Sequence, residues 1–216
     1  MATINPDGSY HGKHGNSVYY IRKGKKTVRT YVPKNPSSSP KQLIQRAKLR
    51  AVSSFLKPFK KVIGLGYQGP EDYSTPMNEA ISWHIKLELL NITPPGSEEP
   101  VYELQPDEVK LSRGNIEPPH LLSIARINNQ LTLTWDNELG PVTNRANDNL
   151  ALTAYTPGTP VFANYHVGTR DSGNGSATLP LEFTEPAYLW IFYWNGQKNT
   201  EPGKDNVSGS VYLGLM

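Results

Sequence analysis

Alternating apolar and polar positions first appear at Ser17, where "SVYYIR" and "TVRTYV" flank "KGKK". That pattern predicts a β-hairpin with Gly24 in the turn, the residue that tolerates the positive φ a tight hairpin needs. One register sets Val18, Tyr20, Val28 and Thr30 on one face and Tyr19, Ile21, Arg29 and Tyr31 on the other. A slip by one residue carries no obvious penalty in strands of this kind.

The period then changes. Ser39, Pro40 and Gln42 form a Ser-x-x-Gln helix start with proline in the first turn. From there Ile44, Ala51, Phe55, Phe59 and Val62 fall on one side at about 100° per residue. Arg46, Arg50, Lys57 and Lys61 fall on the other side, and Pro58 predicts a kink or break near Lys57. A second helix is expected after Thr75 as cap and Pro76 in the first turn, with Met77, Ala80, Ile81 and His84 at helical spacing. "NITPPGSEEP" reads as the end of that helix and the opening of a linker.

From Val109 onward short strands recur between turns: "VKLSRG", "LLSIAR", "QLTLTWD", "NLALTAYT", "PVFANYHV", "GSATLPLEF", "AYLWIFYWN" and "NVSGSVYLG". The expected fold class is therefore α+β: an N-terminal β-hairpin plus two helices, then an antiparallel β-sandwich of immunoglobulin or fibronectin-III type. The expected division is a basic hairpin and helical module over residues 1–93, an acidic Pro/Gly-rich linker over 94–108, and the sandwich over 109–216. "YLWIFYW" reads as a central strand, because a continuous apolar run marks burial on both faces.

Charge sharpens this division. Residues 1–70 carry fourteen Lys and Arg against the lone Asp7, a net of +13, while residues 71–216 carry eight basic against eighteen acidic, a net of −10. Such a polarity favours head-to-tail association between copies, or docking on an acidic partner. The chain has no cysteine, which removes disulfides, thiolate metal sites and cysteine nucleophiles. Nowhere do about 18 apolar residues follow one another, and "MATINPDGSYHG" lacks the basic-then-apolar order of a secretory signal. No membrane partner is expected, and the reading is a protein made or assembled in the cytoplasm, a virion or appendage being compatible.

Candidate chemistry is sparse. "GLGYQG" (Gly64, Gly66, Gly69) matches a dinucleotide fingerprint in letters but follows a helix and runs into Pro70, so it reads as a helix stop. "GKKT" (Gly24 to Thr27) lacks the earlier glycine of a phosphate loop, Tyr19 standing there. His11 and His14 have no third or fourth ligand at metal-site spacing. "RDSGNGS" (Arg170 to Ser176) is made of turn formers and offers Ser172 and Ser176 no activating base. The sequons at Asn91, Asn174 and Asn206 matter only in a secretory pathway. No catalytic residue, cofactor, metal site or small-molecule site is expected.

What remains is a partner-binding basic face built from Arg22, Lys23, Lys25, Lys26, Arg29, Arg46, Arg50, Lys57 and Lys61, with Tyr19 and Tyr31 available for stacking. The first expectation is a non-enzymatic structural or interaction subunit that docks on protein, copies of itself foremost. The second is nucleic-acid binding, with cations on phosphates and tyrosines on bases. A third and weaker one is a carbohydrate-binding sandwich that displays Trp190, Tyr193 and Trp194.

"GKHGNSVYYIRKGKKTVR", "NPSSSPKQLIQRAKL", "VKLSRG" and "NVSGSVYLG", in this order, resemble an uncharacterised family of Bacteroidota proteins classed as a domain of unknown function. The matching positions include Gly12, Lys13, Gly15, Arg22, Gly24, Arg29, Gln42, Arg46, Ser112, Arg113, Gly114, Ser210, Tyr212 and Gly214. The resemblance implies the same two-part plan and no activity.

Overall fold

A computed structural model describes residues 3–4, 10–22, 25–33, 39–67, 75–137, 145–183, 186–195 and 206–216. The chain forms two compact units, Met1–Lys41 and Gln42–Met216. Among the described residues every sheet is antiparallel, and in chain order the α-helices lie between the first sheet and the rest, giving an α+β protein whose sheets are not closed. No helix among the described residues is long and apolar enough to cross a membrane.

The first unit is a meander of four neighbouring strands, β1 (Thr3–Ile4), β2 (Tyr10–His14), β3 (Ser17–Arg22) and β4 (Lys25–Thr30). The expected hairpin is thus its β3–β4 half. The register differs by one residue from the one set out above: Tyr19 stands opposite Val28 and Val18 opposite Arg29. Because side chains alternate across a strand, this single step moves every residue of one strand to the other face relative to its partner.

The second unit begins in α1 (Pro40–Leu56), which follows Ser39 directly. A 3₁₀ turn at Lys57–Phe59 separates α1 from α2 (Lys60–Gly66), and Pro58, which has no N–H to give the helical ladder, sits in that turn. α3 (Pro76–His84) starts as its sequence predicts, with Asn78 N–H donating to Thr75 Oγ1 at 3.3 Å and proline in the first turn.

Only Val52 and Leu56 of α1 are buried. Ile44, expected on the core stripe, is exposed, as is Leu49, because the first three turns run past the core these helices cover. The stripe that reaches the core is Val52, Leu56, Phe59, Val62 and Ile63.

Residues 94–108, expected as a linker, are tied into the fold. β5 (Leu90–Asn91) pairs with β6 (Tyr102–Glu103), Asn91 Oδ1 accepts from Thr93 N–H, and Leu104 is buried in the core shared with the helices. The observed boundary lies instead between Lys41 and Gln42. "VKLSRG" forms no strand: Val109, Leu111 and Ser112 are buried, and the Ser210 hydroxyl accepts from the Leu111 and Ser112 N–H groups in place of a ladder.

The remaining strands make two sheets. β7 (Leu121–Ile127), β8 (Gln130–Trp135) and β11 (Asn174–Thr178) are ordered β11-β8-β7, while β9 (Asn149–Tyr155), β10 (Phe162–Thr169), β12 (Tyr188–Trp194) and β13 (Val211–Leu215) are ordered β10-β9-β12-β13. Leu131, Leu133 and Trp135 of β8 share one core with Leu150 and Leu152 of β9 and Leu189, Ile191 and Tyr193 of β12. The alternate residues of the same central strands, Ala151, Trp190 and Phe192, share a second core with α1, α2 and α3.

The "YLWIFYW" run is therefore buried on both faces, as its continuous apolar character predicts, with a sheet on one side and helices on the other. Trp190 and Tyr193 are fully enclosed, so they cannot present rings to a carbohydrate. "RDSGNGS" joins β10 to β11, which lie in different sheets, with Gly173 left-handed at φ 63°. Ser172 Oγ lies 2.7 Å from Thr169 O and 3.0 Å from Asn174 O, so backbone carbonyls take up its hydroxyl.

Candidate functional site

The N-terminal sheet sorts its side chains by chemistry. Directly opposed residues share a face, so Tyr19, Ile21 and Val28 come together with Ser17, Lys26 and Thr30. The other face gathers Lys13, Val18, Tyr20, Lys25, Thr27 and Arg29. None of residues 11–21, 25–33 and 39–41 is buried, and Ile21 and Val28 are 54% and 56% exposed.

This placement divides the residues named from sequence. Lys25 and Arg29 lie on one face of β4 and Lys26 on the other, all exposed. Lys23 lies outside the described residues, and of Arg22 only its pairing with Lys25 is described. Tyr19 lies on the apolar face, while Tyr31, whose N–H donates to Asn16 O, follows Thr30 onto the basic one by alternation. Lys13 Nζ sits 3.5 Å from the Tyr31 ring centroid, a cation–π contact that covers one side of that ring.

Arg46 and Arg50 on α1, Lys57 in the 3₁₀ turn and Lys61 on α2 are all exposed. Because Pro58 breaks the helical phase, they belong to three successive elements rather than to one continuous helix face.

A second location emerges where spacing gave no signal. Tyr67, Glu79, Ser82, Trp83, Lys86 and Arg113 line a cleft of about 590 Å³ together with Gly114 and Asn115. Long-range bonds hold its walls: Arg113 N–H donates to Gly66 O at 2.9 Å, and Tyr67 Oη–H donates to Lys110 O at 2.8 Å. Burial pushes the Tyr67 phenol well above its ordinary pKa, with the Arg113 charge opposing the rise and the Glu79 charge adding to it, so it stays a protonated donor.

His84 braces the same wall from inside. Its Nδ1 is 2.7 Å from Ala80 O, and its Nε2 accepts the Lys110 N–H at 3.0 Å, so the ring is the neutral Nδ1–H tautomer. Burial lowers its pKa to about 4; the Ala80 hydrogen bond opposes that shift and the Arg113 charge adds to it. Ser112 Oγ donates to Ser208 O, and Ser210 Oγ accepts from Leu111 N–H, which ties the stretch before Arg113 to the C-terminal segment.

Two glycines have a packing role here that letter matching missed. A Cβ on Gly66 would stand 2.2 Å from Leu111 O, and one on Gly114 would stand 1.8 Å from Val207 O. Gly66 is the last residue of α2, so the expected helix stop falls there, and it is also a point of close backbone approach. Gly64, by contrast, has nothing within 4 Å.

A profile described as a family of unknown function (DUF6266) matches residues 8–214. No curated protein and no solved structure matches the chain.

Proposed function

The chain belongs to the DUF6266 family of unknown function, and because membership brings no activity with it, we propose a role from its surfaces: a structural or interaction subunit that associates with copies of itself through the N-terminal sheet. The carrying observation is the face on which Ile21 and Val28 stand more than half exposed beside Tyr19, with no buried residue among 11–21 and 25–33. A small sheet needs a hydrophobic face packed on something to be stable, and an open edge strand invites further pairing.

A second copy is the occupant that charge favours. Two apolar faces meeting bring only Lys26 of each copy to the seam and leave Lys13, Lys25 and Arg29 pointing outward, away from one another. That outer basic face complements the net −10 of residues 71–216 in a further copy. The two sheets that share the Trp135 core, one of three strands and one of four, support reading the second unit as a sandwich-like module, displayed or packed on a neighbour. A subunit of a particle or appendage assembled in the cytoplasm fits this plan.

Sedimentation of the full chain over a wide concentration range tests the proposal. Reversible multimers that weaken with salt are expected. A strict monomer at low and at physiological salt overturns it. Nucleic acid is the second reading, favoured by Tyr20 and Tyr31 falling on the face of Lys13, Lys25 and Arg29. It requires retention of single-stranded DNA or RNA at about 50 mM salt, falling steeply as salt rises.

A further inference from the structure

We propose that the cleft between Tyr67, Trp83 and Arg113 binds the carboxylate of a small organic acid, a site independent of the association surface. Arg113 is placed for this. Its guanidinium carbon lies 5.2 Å from the Trp83 ring centroid, and stacking on an indole fixes the guanidinium plane while leaving its N–H edge for an incoming group. Glu79 lines the same cleft, yet among the described residues Arg113 forms no ion pair with it or any other carboxylate.

The frame behind Arg113 is rigid. Its own N–H is bonded to Gly66 O, the preceding Ser112 is pinned to Ser208, and the following Gly114 packs with no room for a Cβ. A cation held by backbone and stacking loses little freedom when it takes a ligand, which is the general advantage of preorganised sites.

The ligand class follows from charge, geometry and size. Arg113 and Lys86 against Glu79 leave a net charge of about +1 among the lining side chains, which suits a monoanion; a phosphate dianion would meet Glu79 as well. The planar guanidinium fork matches the two oxygens of a carboxylate. The cleft's 590 Å³ falls within the roughly 300 to 1,000 Å³ usual for small-molecule sites, and Tyr67 and Trp83 give the rest of the ligand an aromatic wall.

The test is a titration of the full chain, read by calorimetry and by the Trp83 indole N–H resonance. The probes are hippurate, its neutral amide, inorganic phosphate, and a tripeptide with free or amidated C-terminus. Saturable hippurate binding at roughly 1 mM or tighter is expected, with no binding of the amide. Binding of the free tripeptide at least as tight as hippurate identifies a peptide C-terminus as the source, and hippurate alone identifies a free acid; either result supports the site. Arg113→Gln should weaken binding by at least about tenfold and Lys86→Gln by less, since a bidentate charge-assisted pair is the stronger contact. Both side chains are exposed, so the variants should keep the wild-type far-UV spectrum. No saturable carboxylate binding, equal binding of the amide, preference for phosphate, or full affinity in Arg113→Gln would each overturn the proposal.

Discussion

The two units meet water on opposite terms. In the second, Leu56, Phe59, Trp190 and Phe192 are sealed between helices and sheet, and Leu133, Leu152, Ile191 and Tyr193 between the two sheets. In the first, Tyr19, Ile21 and Val28 line up on one face, where Tyr19 is half-buried and Ile21 and Val28 stay open. Alternation and pairing are satisfied in both, so secondary structure alone does not distinguish them. What distinguishes them is cover: the second unit's apolar faces are packed, while Ile21 and Val28 of the first stand exposed.

The largest expected effect lies in the sealed core. Phe59 packs edge-on against Trp190 at 5.5 Å and Tyr155 at 5.0 Å, so Phe59→Ala should lower stability by about 3 to 5 kcal/mol in chemical denaturation. Val28→Ala should change it by less than about 0.5 kcal/mol in the dissociated chain. Similar losses at both positions would erase the contrast.

The glycines come next. Gly114→Ala and Gly66→Ala force a methyl into backbone and should each cost about 1 to 3 kcal/mol, seen as a lower Tm. Gly64→Ala, with open space around it inside α2, should instead gain about 0.5 to 1 kcal/mol from helix propensity.

His84 gives a pH signature of comparable size. Its folded pKa of about 4 lies below the ordinary 6.5, so its contribution is fully present above pH 6.5 and is lost as pH falls from there toward 4, by up to about 3 kcal/mol. Asp148, whose pKa burial raises, works in the opposite sense, so the His84 step is read as the difference between wild type and His84→Gln. An unchanged pH slope in that variant would place the titration elsewhere. The smallest effect on stability, within about 0.5 kcal/mol, is expected for Ile21→Lys with Val28→Lys, which should nevertheless abolish association.

Local rules made part of this fold legible. The Thr75 cap with Pro76, the break at Pro58 and the double burial of β12 all rest on chemistry within a few residues, and all are present. Register was not legible, because Val18 and Tyr19 are equally suited to a buried face and only the pairing with Val28 decides between them. The continuous run from Tyr188 to Trp194 announced two covered faces without saying that helices would cover one of them. Residues 94–108 carry linker composition, yet Leu104 and the Asn91–Thr93 turn anchor them.

The cleft was hidden for the same reason. It is assembled by Gly66 with Arg113, His84 with Lys110 and Gly114 with Val207, pairs too far apart in sequence for any spacing rule. Its one visible trace was the "SRG" triplet, in which Arg113 is flanked by the serine and glycine that hold it.

Amide hydrogen exchange across a dilution series tests the central claim most directly, because it compares both units in one experiment. The account predicts that β9 and β12 stay protected at every concentration, while β3 and β4 are protected in the concentrated protein and exchange rapidly once it is diluted. Protection of β3 and β4 equal to that of β12 at all concentrations, in a chain that sediments as a monomer, would contradict it.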